Sequence, residues 1–180
     1  MSHEADAPEE IMWAGRYVVA KKKGRWEYVS RARNIRAAVI LAITEAGEVV
    51  LVEQFRVPLG RACIELPAGL IGDDDSTPDE PAEAAAAREL EEETGYRPGR
   101  METIGEFWSS PGMVTESFTL LRAYDLERVS EGGGTEHENI TVHHVPLGEL
   151  EHFLARRRAL GDAIDVRLLT LLGPGILEKA

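Results

Sequence analysis

Residues 82–94, AEAAAARELEEET, are almost all strong helix formers, and Gly95 follows them as a left-handed stop, so a helix from Ala82 to Thr94 is the firmest local expectation in the chain. At about 100° per residue, Glu89, Glu92 and Glu93 share one arc roughly 100° wide, while Glu91 points away. Like charges at such positions repel. The arc is either a solvated face or the seat of a hard divalent cation, for which carboxylate oxygens are the natural ligands.

Around this helix the chain reads mostly as strand. Residues 15–31, GRYVVAKKKGRWEYVSR, suggest a hairpin following a mobile start. Residues 37–56 form a second pair, whose first run is apolar on both faces, as in a central strand. CIELPAGLIG (63–72) begins extended and breaks at Pro67 and Gly69, and the polar stretch 73–81 leads into the helix. Further strand-like pieces lie at 101–108, 117–126 and 139–145, and helical patterns at 147–160 and 162–172. The mixture predicts an α+β domain of the α/β/α sandwich type. We divide the chain into an N-terminal β-hairpin subdomain, residues 1–34, and a main domain, residues 35–180.

A net charge of −12 argues against a nucleic-acid partner. The longest clean apolar run, Ala37–Ile43, is too short to span a bilayer, and the acidic first ten residues do not resemble a signal peptide. The lone Cys63 reads as a buried thiol, which fits a reducing, cytoplasmic setting.

RELEEETGY (88–96) matches the Nudix box, Arg-Glu-apolar-x-Glu-Glu-x-Gly-apolar, at every fixed position, and Glu80 stands upstream with seven residues between it and Arg88. The chain therefore resembles Nudix hydrolases. One position departs: the Gly expected six positions before Glu80 is Asp74, and the nearest fit, Gly69, leaves ten residues between it and Glu80 rather than five, which reads as a loop insertion. EQFRVPLGRACIELPAG (53–69), GRWEYVSR (24–31) and Pro111, sixteen residues after Gly95, resemble the ADP-ribose pyrophosphatase type in particular.

The resemblance implies a Nudix fold with a mixed β-sheet. It also implies Mg²⁺, with Mn²⁺ as an alternative, on Glu89, Glu92, Glu93 and the Ala68 carbonyl. Arg56 would contact the diphosphate; Trp26, Glu27 and Arg31 would lie in the adenine-binding segment, with Trp26 stacking and Glu27 accepting from the base. Tyr17 stands where relatives carry a second stacking aromatic, core packing being the alternative. Arg88 would hold the loop around Glu80. Glu138, with Glu136 second, would act as general base on a loop made flexible by SEGGGT (130–135). The implied reaction is ADP-ribose plus water giving AMP and ribose 5-phosphate, in a homodimer that exchanges its N-terminal segment. The alternatives are a nucleotide-sugar pyrophosphatase acting on GDP-mannose or ADP-glucose, and a non-catalytic ligand sensor.

Overall fold

In the computed structural model, residues 3–32, 36–71, 81–135 and 139–172 are described. The N-terminal part is not a two-stranded hairpin. β1 (Glu9–Ala14), β2 (Val18–Lys23) and β3 (Trp26–Arg31) form a three-stranded antiparallel sheet, and β1 occupies the segment expected to be mobile. The third strand has a physical reason, because an isolated two-stranded ribbon is marginal in water. EEIMWA of β1 supplies the extra pairing, with Lys21 reaching Glu9 at 2.9 Å and the Tyr28 hydroxyl bonded to the same carboxylate.

The main body follows: β4 (Arg36–Ala42), β5 (Glu48–Arg56), β6 (Arg61–Glu65), β7 (Ala68–Ile71), α1 (Ala82–Thr94), β8 (Tyr96–Trp108), β9 (Ser117–Arg128), β10 (Thr141–Pro146), α2 (Leu150–Ala159) and β11 (Ala163–Ile164). A 3-10 helix, Val166–Leu172, replaces most of the last expected α-helix, and β8 begins five residues earlier than its apolar pattern suggests. The strands assemble as β10-β5-β6-β11 and β7-β4-β9-β8; β4 runs parallel to β9 and β6 parallel to β11, so both sheets are mixed.

β4 is buried on both faces, as its unbroken apolar run requires. Val39 and Leu41 pack with Leu51, Leu150, Leu154 and Leu168 on one side. Ala38, Ile40 and Ala42 meet Ala85, Ala86 and Leu90 of α1 on the other. Small alanines on both α1 and β4 let the helix approach the sheet closely, which brings its glutamates to the β7 edge.

His143 and His144 point to opposite faces of β10: His143 Nε2 lies 2.8 Å from Glu53, and His144 Nε2 lies 3.0 Å from the Tyr96 hydroxyl. They are held by separate partners, which agrees with their poor suitability as joint metal ligands.

Candidate active site

A cavity of about 740 Å³ beside the glutamate helix is lined by residues of β5, β6, β7 and α1. Glu93 is 4 % exposed and accepts the Ala68 N–H at 3.0 Å. Glu89 lies directly over Gly69, where an added Cβ would come within 2.0 Å of the Glu89 Cγ. Any side chain at position 69 would displace that glutamate, so strand β7 and the helix interlock through a missing Cβ; Gly69, expected to break the chain's extended run, lies inside β7 opposite Ala38. Arg56, Glu65, Asp165, Arg167, Arg31 and Glu116 also line this cavity.

The arginines do not face the cavity unpaired. Arg56 grips the buried Glu65, 2 % exposed, through Nε to Oε1 at 2.6 Å and Nη2 to Oε2 at 2.7 Å. This pairing raises the Arg56 guanidinium above its ordinary pKa. Arg167 reaches the same Oε2 at 3.4 Å while its Nε and Nη2 bond Asp165 at 2.8 and 2.6 Å. The parallel register of β11 on β6 aligns Ile164 with Ile64, which sets Asp165 next to Glu65. Arg31 Nε donates to Glu116 at 2.7 Å. Cys63 lines the same cavity, and burial pushes its thiol up to about 12, so it is an inert buried thiol as expected.

Burial would raise the Asp165 carboxyl, but the Arg167 hydrogen bonds and charge outweigh it and hold the group below its usual value of 3.8. A depressed folded-state pKa contributes stability above the unfolded value and loses it as pH falls through the folded one. The Tm gap between wild type and Asp165→Asn should therefore be open above about pH 3.8 and narrow below it. A gap independent of pH in thermal scans would contradict this assignment.

Five carboxylates and three guanidinium groups line this cavity. Six of these charges pair off among themselves, Arg31 with Glu116 and Arg56 and Arg167 with Glu65 and Asp165, and the other two carboxylates lining the cavity are Glu89 and Glu93 of α1. Two hard carboxylates beside the β7 backbone are oxygen ligands of the kind a divalent cation takes. Among the described residues, however, no three His, Cys, Asp or Glu side chains are grouped as a metal site. Glu92 is turned away onto Arg88, at 3.3 Å, and lines a separate cavity of about 510 Å³. Arg88 also contacts Glu89 at 3.0 Å. Glu80, Glu136 and Glu138 lie outside the described residues.

The glycines expected to loosen the loop after β9 are tied down at its start. Gly133 and Gly134 donate their N–H groups to the carbonyls of Glu93 and Glu92 at 2.9 and 3.0 Å, and Gly132 sits where an added Cβ would strike the α1 backbone at 2.4 Å. All three have positive φ. They cap the exposed carbonyls at the end of α1, and glycine is needed for the contact as well as for the turn.

The N-terminal sheet docks on its own chain through Val29, whose N–H donates to the Met113 carbonyl at 2.9 Å and whose carbonyl accepts from Thr115 at 3.0 Å. Trp26, half exposed, and Tyr28 line a second cavity of about 400 Å³ with Pro111 and Gly112. The Trp26 indole N–H donates to Glu4 at 3.0 Å. Glu27 is exposed. Tyr17, 57 % exposed with Arg16 over its ring, is not a core residue and lines neither of these two cavities.

Glu89, Glu93, Ala68 and Arg56 thus line one cavity, and Trp26 and Pro111 another; Arg31, expected in the adenine-binding segment with Trp26, instead lines the first, bonded to Glu116. Sequence reading missed Glu65, Glu116, Asp165 and Arg167. Glu65 carried a usable signal, being the one charge inside the otherwise apolar run Cys63–Leu66, which demands a buried partner.

Residues 33–164 match the NUDIX domain family model. The chain is 43 % identical over 168 residues to a GDP-mannose pyrophosphatase of Cronobacter sakazakii, covering 85 % of this chain and 82 % of that protein. It is 40 % identical over 95 residues to an ADP-ribose pyrophosphatase of Bacillus subtilis, a match spanning 53 % of this chain but only 49 % of that protein. The crystal structure of an ADP compounds hydrolase shares the fold, with a TM-score of 0.69 over 92 % of this chain and 89 % of that one at 22 % identity. The glutamate helix, the strand it interlocks with and the match across residues 33–164 together place this chain in the Nudix hydrolase family.

Proposed function

We propose that the protein is a Mg²⁺-dependent pyrophosphatase that cleaves ADP-ribose to AMP and ribose 5-phosphate, with Mn²⁺ able to substitute, in a reducing, cytoplasmic setting. The observation that carries this reading is the pair Trp26 and Pro111 at one cavity, two sequence-distant features of the ADP-ribose type meeting in space. The ADP-ribose pyrophosphatase relative supports it as well. Glu89, Glu92, Glu93 and the Ala68 carbonyl would hold a divalent ion, which when bound would neutralise phosphate charge and lower the pKa of a water. Arg56 orients the diphosphate, using the guanidinium edge that Glu65 leaves open. Trp26 stacks on adenine while Glu27 accepts its amino proton, and Glu138, or Glu136 in second place, takes the proton of the attacking water.

GDP-mannose is the second reading, because the relative that covers most of the chain carries that activity in its name. The two readings separate on the base. Guanine presents an oxygen where adenine presents an amino donor, which would leave Glu27 facing an acceptor. ADP-ribose should accordingly show the higher kcat/KM in a direct comparison with Mg²⁺, and the reverse order would transfer the enzyme to the nucleotide-sugar branch.

The reading includes a homodimer in which the N-terminal sheet serves the partner's site. Ile11, Met12 and Trp13 on β1 present large exposed apolar side chains in the single chain, as expected of a strand covered by another copy. Mixing an inactive Trp26→Ala, Glu27→Ala chain with an inactive Glu93→Gln chain should then restore some activity once subunits exchange. Mixed dimers verified by tagged pull-down yet devoid of activity would refute the exchange.

A further inference from the structure

Arg56 and Arg167 come from segments more than a hundred residues apart, yet their Nη2 groups approach the same oxygen of Glu65, at 2.7 and 3.4 Å. Two guanidinium groups on one buried carboxylate oxygen repel each other, and the arrangement is held by Asp165, which takes the Nε and Nη2 edge of Arg167 just as Glu65 takes that edge of Arg56. In each arginine the edge bearing Nη1 makes no hydrogen bond among the described residues. Both residues line the same cavity as Glu89 and Glu93. A guanidinium whose back edge is clamped by a carboxylate is pre-organised, so little side-chain entropy is lost when its free edge meets an anion.

Building on the pyrophosphatase reading above, we infer that Arg167 is a second substrate-binding cation, donating from its Nη1 edge to a non-bridging phosphate oxygen of the nucleoside diphosphate beside Arg56. Glu65 acts as the positioning residue that sets the spacing of the two arginines. The contact is to the diphosphate and not to the base, so it serves any nucleoside diphosphate derivative the enzyme accepts. Nothing in the local pattern of VRLLTLL (166–172) marks Arg167 for this role; it is the parallel pairing of β11 with β6 that carries it to the cavity.

The test compares Arg167→Gln and Arg167→Lys with wild type, using ADP-ribose and GDP-mannose with Mg²⁺ and recording kcat, KM and Tm. Arg167→Gln should raise KM at least about tenfold on whichever substrate is cleaved, the scale of one charge-assisted hydrogen bond to an anion, with a smaller change in kcat. Arg167→Lys, which keeps the charge but not the fork, should fall between. Unchanged KM in both variants, or a loss of Tm and kcat without a rise in KM, would overturn the inference and leave the pyrophosphatase reading standing. If Arg167→Gln does not fold, the KM of Arg167→Lys decides. A wild-type preference for GDP-mannose would overturn the ADP-ribose reading while a KM shift on GDP-mannose still supported Arg167, and no cleavage of either substrate would overturn both.

Discussion

Glu93→Gln is expected to lower kcat by at least about a hundredfold while leaving the fold intact. The substitution is nearly isosteric, and the amide oxygen can still accept the Ala68 N–H that Glu93 now receives at 3.0 Å, so the contact between α1 and β7 survives. Neutralising one of two carboxylates at the same cavity also relieves repulsion with Glu89, so Tm should hold or rise. What is lost is a charge that a divalent ion needs, and the defect should appear as a higher requirement for added Mg²⁺ as well as a lower maximum rate. Glu92→Gln tests whether the outer glutamate leaves Arg88 to join its neighbours during turnover. A comparable loss of rate would mean that it does. Wild-type turnover in both variants would remove the metal assignment from this helix.

The second large effect concerns Arg56. Its removal in Arg56→Met leaves Glu65 buried with only the longer contact to Arg167, and breaking a buried pair by deleting one partner costs about 3 kcal/mol or more. Tm should fall by several degrees, on the order of 2–4 °C per kcal/mol for a chain of this length. Activity should fall too, since the diphosphate contact goes with the side chain. The double variant Arg56→Met, Glu65→Leu separates the two roles. Replacing a buried ion pair by apolar groups of similar size is often neutral for stability, so Tm should recover most of the loss whereas activity should not. Recovery of both would reduce Arg56 to a counterion of Glu65, and recovery of neither would mean that Glu65 supports the fold through Arg167 alone.

What could be read without coordinates was whatever depends on short-range periodicity. The helix Ala82–Thr94 and its stop at Gly95 follow from propensity and from glycine's access to positive φ, and both are observed as expected. The sharing of one arc by Glu89, Glu92 and Glu93 follows from helical geometry, and the two-sided burial of β4 from its unbroken apolar run. Less was legible where a segment's role depends on what it touches. EEIMWA, which follows the acidic first residues, looked like a mobile start; its side chains stay exposed in the single chain, and it becomes a strand by pairing with the edge of β2. SEGGGT reads as flexible by composition, yet its glycines are pinned by the carbonyls at the end of α1, a constraint invisible until the chain returns from β9.

The sequence by itself determined the reactive pattern of this protein, because the spacing of its glutamates is local and a helix converts spacing directly into direction. The tertiary structure decided how two of them are seated: Glu93 is drawn inward by the Ala68 N–H and Glu89 fits over Gly69, whereas Glu92 pairs with Arg88, one turn back on its own helix, which also contacts Glu89. It also decided the ion-paired wall. Arg56, Glu65, Asp165 and Arg167 become one network only through strand pairing between β5, β6 and β11, since the partners of a buried charge are chosen by proximity in space and not by order along the chain.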